Sequence, residues 1–139
     1  VCGTYYVQAY TLNMDVLVLS LVSGLAIDTL LTVNNYRDRE QDAVSGKCTL
    51  VVRYGRKFGE NMYLGLGIAA TLLCLWFVNT GRLTLIEFIW APCVYLCMHA
   101  LTWRKMVKIR SGKGLNRILG ETSRNMLFLG ILLAVALAA

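Results

Sequence analysis

The sequence of 139 residues has few charged side chains, a single proline and a single histidine. Only 16% of its residues are charged and 57% are hydrophobic, whereas soluble domains average about 25% charged and about 45–50% apolar residues. This composition excludes a single small water-soluble globule. The shortage of histidine argues against a zinc site, because Cys93 and Cys97 have no second Cys or His pair near them in the sequence.

Apolar residues are concentrated in four long runs, and the mean hydropathy is +0.56. A helix needs about 20 residues to cross the apolar part of a bilayer. The runs cover residues 12–33, 62–78, 83–103 and 126–139, and the last reaches spanning length if residues 122–125 form its first turn. No run shows the polar stripe of a soluble helix or the alternation of a barrel strand. We therefore predict an all-α, polytopic transmembrane helical bundle with four spans.

Basic residues are concentrated in two of the segments between these runs. Of the fourteen Lys and Arg, six lie between the first and second runs, and six lie between residue 103 and residue 122, where the last span would open. Because short loops rich in Lys and Arg stay in the cytoplasm, we expect both segments there and both Val1 and Ala139 on the outer side. The net charge of +6 is explained by this topology. No aromatic residues are interleaved to stack on bases, so we expect no nucleic-acid partner.

The polar stretch after the first run contains no Gly or Pro before Gly46. The first helix is therefore expected to continue beyond the membrane and to end near Gly46. Residues 47–55 are predicted to be a loop, and the next helix is expected to restart within residues 58–61. Pro92 predicts a kink in the third span.

The extension of the first helix carries the residues most typical of a reactive site. Asn34, Asp38 and Asp42 recur every four residues and so share one helix face. Two carboxylates one turn apart suit Mg²⁺, which binds carboxylates, waters and substrate phosphates. Lys47 and Arg53 follow as candidates to contact diphosphate oxygens. From spacing alone, a solvated helix end with paired charges is an equally good interpretation.

The segment from Val33 to Gly55 resembles the second aspartate-rich motif of the UbiA superfamily of membrane prenyltransferases. It contains VNNYRDREQD followed by SGKCTLVVRYG. The resemblance is closest to the 1,4-dihydroxy-2-naphthoate polyprenyltransferases, whose motif looks like NN-x-R-D-x-x-x-D-x-x-x-G-K-x-T-L-x-V-R-x-G. Cys48 departs from the Arg that commonly follows the Gly-Lys pair, which removes one positive charge. Residues 3–8 also look like the stretch before the sixth span of these polyprenyltransferases, and residues 115–122 look like the stretch that opens their last span. The resemblance therefore covers essentially the whole chain.

The resemblance implies a bundle of about nine helices with two aspartate-rich motifs. About four spans and one motif are present here, so we expect residues 1–139 to be the C-terminal part of one domain without its N-terminal half, inactive alone. It further implies roles for six residues. Mg²⁺ would be bound by Asp38 and Asp42, the diphosphate would be contacted by Lys47 and Arg53, and the site would be lined by Asn34 or Asn35.

The implied activity is transfer of a polyprenyl group from polyprenyl diphosphate to 1,4-dihydroxy-2-naphthoate in menaquinone biosynthesis, with loss of diphosphate and CO₂. The implied location is the bacterial inner (plasma) membrane, with the active site facing the cytoplasm. A different aromatic acceptor, such as 4-hydroxybenzoate or homogentisate, is the close alternative. A transporter or scaffold subunit is a more distant one, because transporters bind their substrates near the bilayer midplane rather than at a helix end.

Two of the ionisable residues within the runs are Asp28 and His99. Asp28 is a candidate for the substrate cavity, because charged groups inside membrane spans commonly have a function. His99 has no carboxylate at helical spacing to orient it as a base, so we expect it to have a packing or hydrogen-bonding role.

Overall fold

The computed structural model describes residues 1–138, which are almost entirely α-helical and contain no strand. The short helix α1 (Cys2–Ala9) precedes the long helix α2 (Met14–Val44). The remaining helices are α3 (Leu50–Tyr54), α4 (Arg56–Leu73), α5 (Leu75–Asn79), α6 (Leu85–Phe88), α7 (Val94–Ile109) and α8 (Leu115–Ala138). A π-helical turn at Ile89–Cys93 joins α6 to α7. Ala139, the predicted end of the last span, lies outside the described residues.

Four helical stretches are long and apolar enough to cross a membrane, which confirms the predicted all-α transmembrane bundle. They are Met14–Val44, Arg56–Asn79, Leu85–Ile109 and Leu115–Leu137. In the most apolar part of each stretch at most 39% of the residues are buried inside the bundle. Most apolar side chains therefore face outward, where a lipid environment accommodates them without cost.

Helix α2 begins and ends at residues whose chemistry terminates helices. At its start, the side-chain oxygen of Asn13 accepts a hydrogen bond from the backbone N–H of Val16 at 2.9 Å. At its end, Gly46 has a φ of +76°, a conformation that favours glycine. The helix therefore runs from its apolar part into the charged segment without interruption, as the sequence predicted.

The helices differ from the expectation in three places. Residues 50–54, expected to be a loop, form α3 because the hydroxyl of Thr49 accepts a hydrogen bond from the backbone N–H of Val52 at 3.2 Å. Gly55, with a φ of +88°, then turns the chain so that α4 begins at Arg56 rather than within residues 58–61. Helix α8 begins at Leu115, well before residue 122. Both Leu115 and Ile118 are fully buried, so their packing extends the helix at its N-terminal end.

Pro92 lies inside the π-helical turn at Ile89–Cys93. Because proline has no backbone N–H, the regular hydrogen-bond ladder cannot continue through it. The structure places Pro92, for which a kink was predicted, in one wide helical turn within the third span.

A cluster of buried side chains holds together the end of the bundle that carries the aspartate-rich segment, which we call the motif end. Its members come from α2, α3, α4, α7 and α8, so it fixes the relative positions of five helices. They are Val33, Tyr36, Val51, Tyr63, Met106, Leu115 and Ile118. A second cluster, which includes Val22, Phe77, Tyr95 and Leu129, fills the interior further from this end.

Buried polar groups join α7 to α8 near the same end. The carboxylate of Glu121 is buried and accepts hydrogen bonds from Lys105 Nζ at 2.9 Å to each oxygen. One turn further, the side-chain amide of Asn125 donates to the Thr102 hydroxyl at 3.0 Å. Polar side chains in a membrane bundle hold helices together because the alternative is an unpaired group in hydrocarbon.

His99 has the structural role expected for it. The residue is 1% exposed, and its ring stacks on Tyr63 with 4.2 Å between ring centroids. Its Nε2 donates to the backbone carbonyl of Tyr63 at 2.9 Å. The ring also covers Gly67, where an added Cβ would lie 2.3 Å from the imidazole. Helices α4 and α7 can approach this closely only because residue 67 is glycine.

We predict that Gly67→Ala destabilises the protein by about 1–3 kcal/mol, because the imidazole must leave its stacked position to make room for a methyl group. The measurement is thermal unfolding in detergent micelles. The matched control is Gly65→Ala on the same helix, where nothing lies within 4 Å of an added Cβ. Equal melting temperatures for the two variants would contradict the close packing of α4 against α7.

Candidate functional site

The charged part of α2 is fastened to the bundle by Tyr36. This side chain is 2% exposed, and its hydroxyl donates to a carboxylate oxygen of Glu60 on α4 at 2.8 Å. The backbone carbonyl of Glu60 also accepts a hydrogen bond from the indole of Trp103 on α7 at 3.0 Å. Three helices therefore meet at Glu60, and Tyr36 lies two residues from each of Asn34 and Asp38.

Arg37 is the centre of a hydrogen-bond cluster at the motif end. Its guanidinium binds the Asp38 carboxylate in a bidentate manner, with both nitrogen–oxygen distances 2.7 Å. The same group donates to the side-chain oxygen of Asn34 at 2.9 Å. It also donates to the side-chain oxygen of Asn116 on α8 at 3.2 Å. Two predicted site residues, Asn34 and Asp38, are thus brought together through an arginine and a residue of the last helix.

Asp42 lies one turn beyond Asp38 and has a different environment. It is 8% exposed, and its Oδ1 lies 3.4 Å from Lys47 Nζ. Its Oδ2 is buried and has no hydrogen-bond partner among the described residues. A buried carboxylate oxygen without a donor is costly, so this atom is the one best suited to accept a cation.

The donor set fits a partial coordination shell for Mg²⁺. This ion prefers oxygen ligands and commonly takes only one or two carboxylates from the protein, with waters and phosphates completing its shell. Asp42 offers an unpaired oxygen, whereas Asp38 would share its carboxylate with Arg37. No group of three or more His, Cys, Asp or Glu side chains suited to a metal occurs within residues 1–138.

The remaining predicted residues lie further from this cluster. Arg53 is exposed on α3, with its guanidinium carbon 5.5 Å from the ring centroid of neighbouring Tyr54. Lys47 is exposed and reaches the site through Asp42. Asn35 is half-buried, and its side chain makes no hydrogen bond within the described part of the chain. Asp28 is exposed on the outward side of α2, so the described helices do not enclose it in a cavity.

A cavity of about 480 Å³ opens beside the Arg37 cluster. Its walls are the charged part of α2, the first residue of α4, and the segment between α7 and α8. The lining residues are Tyr36, Arg37, Asp38, Arg39, Glu40, Gln41, Arg56, Ser111, Gly112, Lys113 and Asn116. Of these residues the sequence had predicted only Asp38 as part of the site, and the last four lie far from it along the chain. The signal that could have found them was the unexplained Ser-Gly-Lys-Gly stretch at residues 111–114.

The chain is similar to one known protein family and to several individual proteins. The model of the UbiA prenyltransferase family matches residues 1–132. Two proteins named 1,4-dihydroxy-2-naphthoate octaprenyltransferase, from Mycobacterium leprae and Mycobacterium tuberculosis, are each 33% identical over 99% of this chain. A protein of the same name from Haemophilus influenzae is 39% identical over 52% of the chain. No solved structure matches the chain.

The aligned regions cover 45%, 46% and 23% of those three relatives, so the chain spans at most about half their length. The match to the family model nevertheless includes the first three spans, most of the fourth and the whole aspartate-rich segment. The chain belongs to the UbiA prenyltransferase family.

Proposed function

We propose that this chain is the C-terminal part of a single prenyltransferase domain. The complete protein would transfer a polyprenyl group from polyprenyl diphosphate to 1,4-dihydroxy-2-naphthoate, with loss of diphosphate and CO₂, in menaquinone biosynthesis. The names of the relatives support this substrate pair. One structural observation carries the proposal: Asp38 and Asp42 lie on the end of an apolar helix, and the same helix end lines a cavity with four basic side chains.

That arrangement matches the two-part chemistry of a prenyl diphosphate. The polyprenyl tail is an apolar chain that belongs in lipid, and the diphosphate is an anion that needs cations and water. A helix that passes without a break from hydrophobic to charged residues presents both environments along one line. A transporter would instead hold its ion or substrate near the middle of the spans.

In the proposed site, Asp38 and Asp42 would hold Mg²⁺, and Arg37 keeps the Asp38 carboxylate in a fixed orientation. When bound, the ion neutralises the negative charge that develops on the leaving diphosphate. Asp42 is suited to this role because one of its oxygens is buried and unpaired within the described residues.

Lys47 and Arg53 are proposed to contact the diphosphate oxygens, and Asn34 and Asn35 to line the site. Lys47 already lies next to Asp42, so a metal and an anion bound there would be adjacent. Asn34 is fixed by its hydrogen bond from Arg37. Arg53, exposed at the surface of α3, is available to an anion that approaches from that side.

The proposed reaction is an electrophilic substitution on the aromatic ring. The bond between the allylic carbon and the diphosphate oxygen breaks, and its electron pair leaves with the diphosphate. The electron-rich ring carbon that carries the carboxylate forms a new bond to the allylic cation. Loss of CO₂ returns the electrons of the carbon–carboxylate bond to the ring and restores its aromaticity.

We further propose that the motif end faces the cytoplasm, in the inner membrane of a bacterium. The two segments that contain six basic residues each both lie at this end of the bundle. Positive charge in short connecting segments is retained on the cytoplasmic side.

Replacement of either carboxylate should abolish metal-dependent turnover. We expect Asp38→Asn and Asp42→Asn in the full-length protein to lower the rate by at least about a hundredfold, because loss of a metal ligand costs more than loss of its supporting groups. Formation of prenylated product is followed in membranes supplied with polyprenyl diphosphate, Mg²⁺ and dihydroxynaphthoate.

The control for these variants is Asp15→Asn, which removes a carboxylate at the opposite end of α2. Asp15 pairs with Arg82 at 3.3 Å and accepts a hydrogen bond from Trp76, so its contacts are at the end of the bundle away from the proposed site. Full activity in both motif variants would rule out the assigned metal ligands. Turnover with another phenolic acid, but not with the naphthoate, would replace the proposed acceptor and leave the chemistry intact.

Orientation can be tested with a natural side chain, because Cys48 is exposed in the segment between α2 and α3. We expect a membrane-impermeant maleimide to label Cys48 in inverted membrane vesicles and not in intact spheroplasts. The Cys48→Ser variant identifies which part of the signal comes from this residue. Labelling of Cys48 from outside intact spheroplasts would reverse the proposed orientation.

A further inference from the structure

Asp28 is a charged residue in the apolar part of α2. It lies about 9 Å along the helix from Asn34 and about 21 Å from Met14, where the helix begins. The residue is exposed, and its carboxylate forms neither a hydrogen bond nor an ion pair with any residue within 1–138. Only its backbone carbonyl accepts a side-chain hydrogen bond, from the Thr32 hydroxyl at 2.7 Å. Acidic residues inside spans almost always face a protein interior or a water-filled cavity, so this face of α2 is not a lipid-facing surface.

Asp28 shares its helix face with two residues of the motif end. Asp28, Asn35 and Asp42 recur every seven residues, which is close to two turns of an α-helix. Each has a polar group without a hydrogen-bond partner within the described part of the chain. These groups are the Asp28 carboxylate, the Asn35 amide and the buried Oδ2 of Asp42. A line of unpartnered polar groups along a membrane helix indicates a surface that binds something outside the described helices.

The surroundings of Asp28 are apolar and open. Leu21 and Leu31, one turn or two away on α2, are each at least half exposed. Gly24 lies one turn before Asp28, and nothing lies within 4 Å of a Cβ added to it. The chain spans about half the length of two of its relatives, so the complete protein has further helices to enclose this surface. An apolar surface with one polar group suits a flat, mostly apolar ligand that has one hydrogen-bond donor.

The distance between Asp28 and the proposed metal ligands fits the size of the two bound substrates. Because α2 is continuous, Asp28 is held about 15 Å along the helix from Asp38. A prenyl diphosphate held at Asp38 and Asp42 places its allylic carbon on the membrane side of these carboxylates, since its tail enters the apolar part. An aromatic ring that attacks this carbon then lies between the diphosphate and Asp28.

We propose that Asp28 binds the aromatic acceptor, accepting a hydrogen bond from the hydroxyl that lies away from the acceptor's carboxylate. The inference rests on the proposed function, because it takes 1,4-dihydroxy-2-naphthoate as the acceptor and its position-4 hydroxyl as the donor. An ionised carboxylate can only accept hydrogen bonds, so it selects a ligand with a donor at this point. Asp28 is therefore a residue that determines acceptor specificity.

The charges along α2 also determine which way round the acceptor binds. The motif end carries basic side chains, which attract the carboxylate of the acceptor. Asp28 has the opposite charge and repels that carboxylate. The ring carbon that carries the carboxylate is thereby directed toward the allylic carbon, and the position-4 hydroxyl toward Asp28. An acid with a single hydroxyl, such as 4-hydroxybenzoate, lacks the second group that this orientation uses.

The test measures binding without turnover, in the full-length protein in nanodiscs. The probes are 1,4-dihydroxy-2-naphthoate and 1-hydroxy-2-naphthoate, which differ only in the position-4 hydroxyl, and no prenyl diphosphate is added. We expect Asp28→Ala to weaken binding of the dihydroxy compound by at least about tenfold, as loss of a hydrogen bond to a charged group implies. Affinity for the monohydroxy compound should not fall, because it has no group for Asp28 to bind.

Two further variants separate the hydrogen bond from a general effect of charge. Asp28→Asn keeps an acceptor oxygen without the charge, so its affinity for the dihydroxy compound should be intermediate. The matched control is Asp15→Asn, which removes one carboxylate from the opposite end of the same helix and should bind both compounds as the wild type does. In turnover assays, Asp28→Ala should raise the KM for dihydroxynaphthoate and leave the KM for polyprenyl diphosphate unchanged.

The outcomes distinguish this inference from the proposed function. If Asp28→Ala weakens binding of both compounds equally and lowers the melting temperature, Asp28 pairs with another part of the protein and the inference is overturned. If the wild type prenylates dihydroxynaphthoate and Asp28→Ala binds both compounds as the wild type does, the inference is overturned and the proposed function stands. If the wild type prenylates another phenolic acid and not the naphthoate, the proposed acceptor is wrong and the role assigned to Asp28 is wrong with it.

Discussion

The helix α2 carries one uninterrupted hydrogen-bond ladder from Met14 to Val44, and the rest of the site depends on that continuity. A backbone inside lipid must satisfy its own hydrogen bonds, so the spans can only be helices that change direction at their ends. Because α2 does not stop at the membrane boundary, its apolar and charged parts form one rigid element. The positions of Arg37 and Asp38 are therefore fixed relative to the bundle that would hold an apolar substrate chain.

Much of the architecture could be predicted because the signals are local. Long apolar runs identified four spans, and the absence of Gly or Pro before Gly46 predicted that α2 extends beyond its apolar part. The early start of α8 could not be predicted in the same way. Residues 115–121 contain several polar side chains, and they are helical because Leu115 and Ile118 pack into the motif-end cluster. That packing depends on residues far away in the sequence.

In the candidate site, too, the features set by local sequence could be predicted, and the features set by distant residues could not. The spacing of Asn34, Asp38 and Asp42 placed them on one face because four residues make about one helical turn. The structure adds that Arg37 joins the first two of them and also reaches Asn116, a residue 79 positions later. Pairing at that distance leaves no periodic signal in the sequence. The basic lining of the cavity was likewise hidden, because its side chains come from three separate segments.

The wide turn around Pro92 sets the rotation of everything that follows it in the third span. A π-helical turn contains one more residue than an α-helical turn, and one residue corresponds to a rotation of about 100° around the helix axis. Tyr95, His99, Thr102 and Met106 face the interior along the helix after this turn. Deleting Pro92 would remove both the extra residue and the proline, and in a regular helix the inner face would then be rotated by about 100° away from the bundle interior. The π-helical turn therefore determines which face of α7 packs inside the bundle and which face is exposed to lipid.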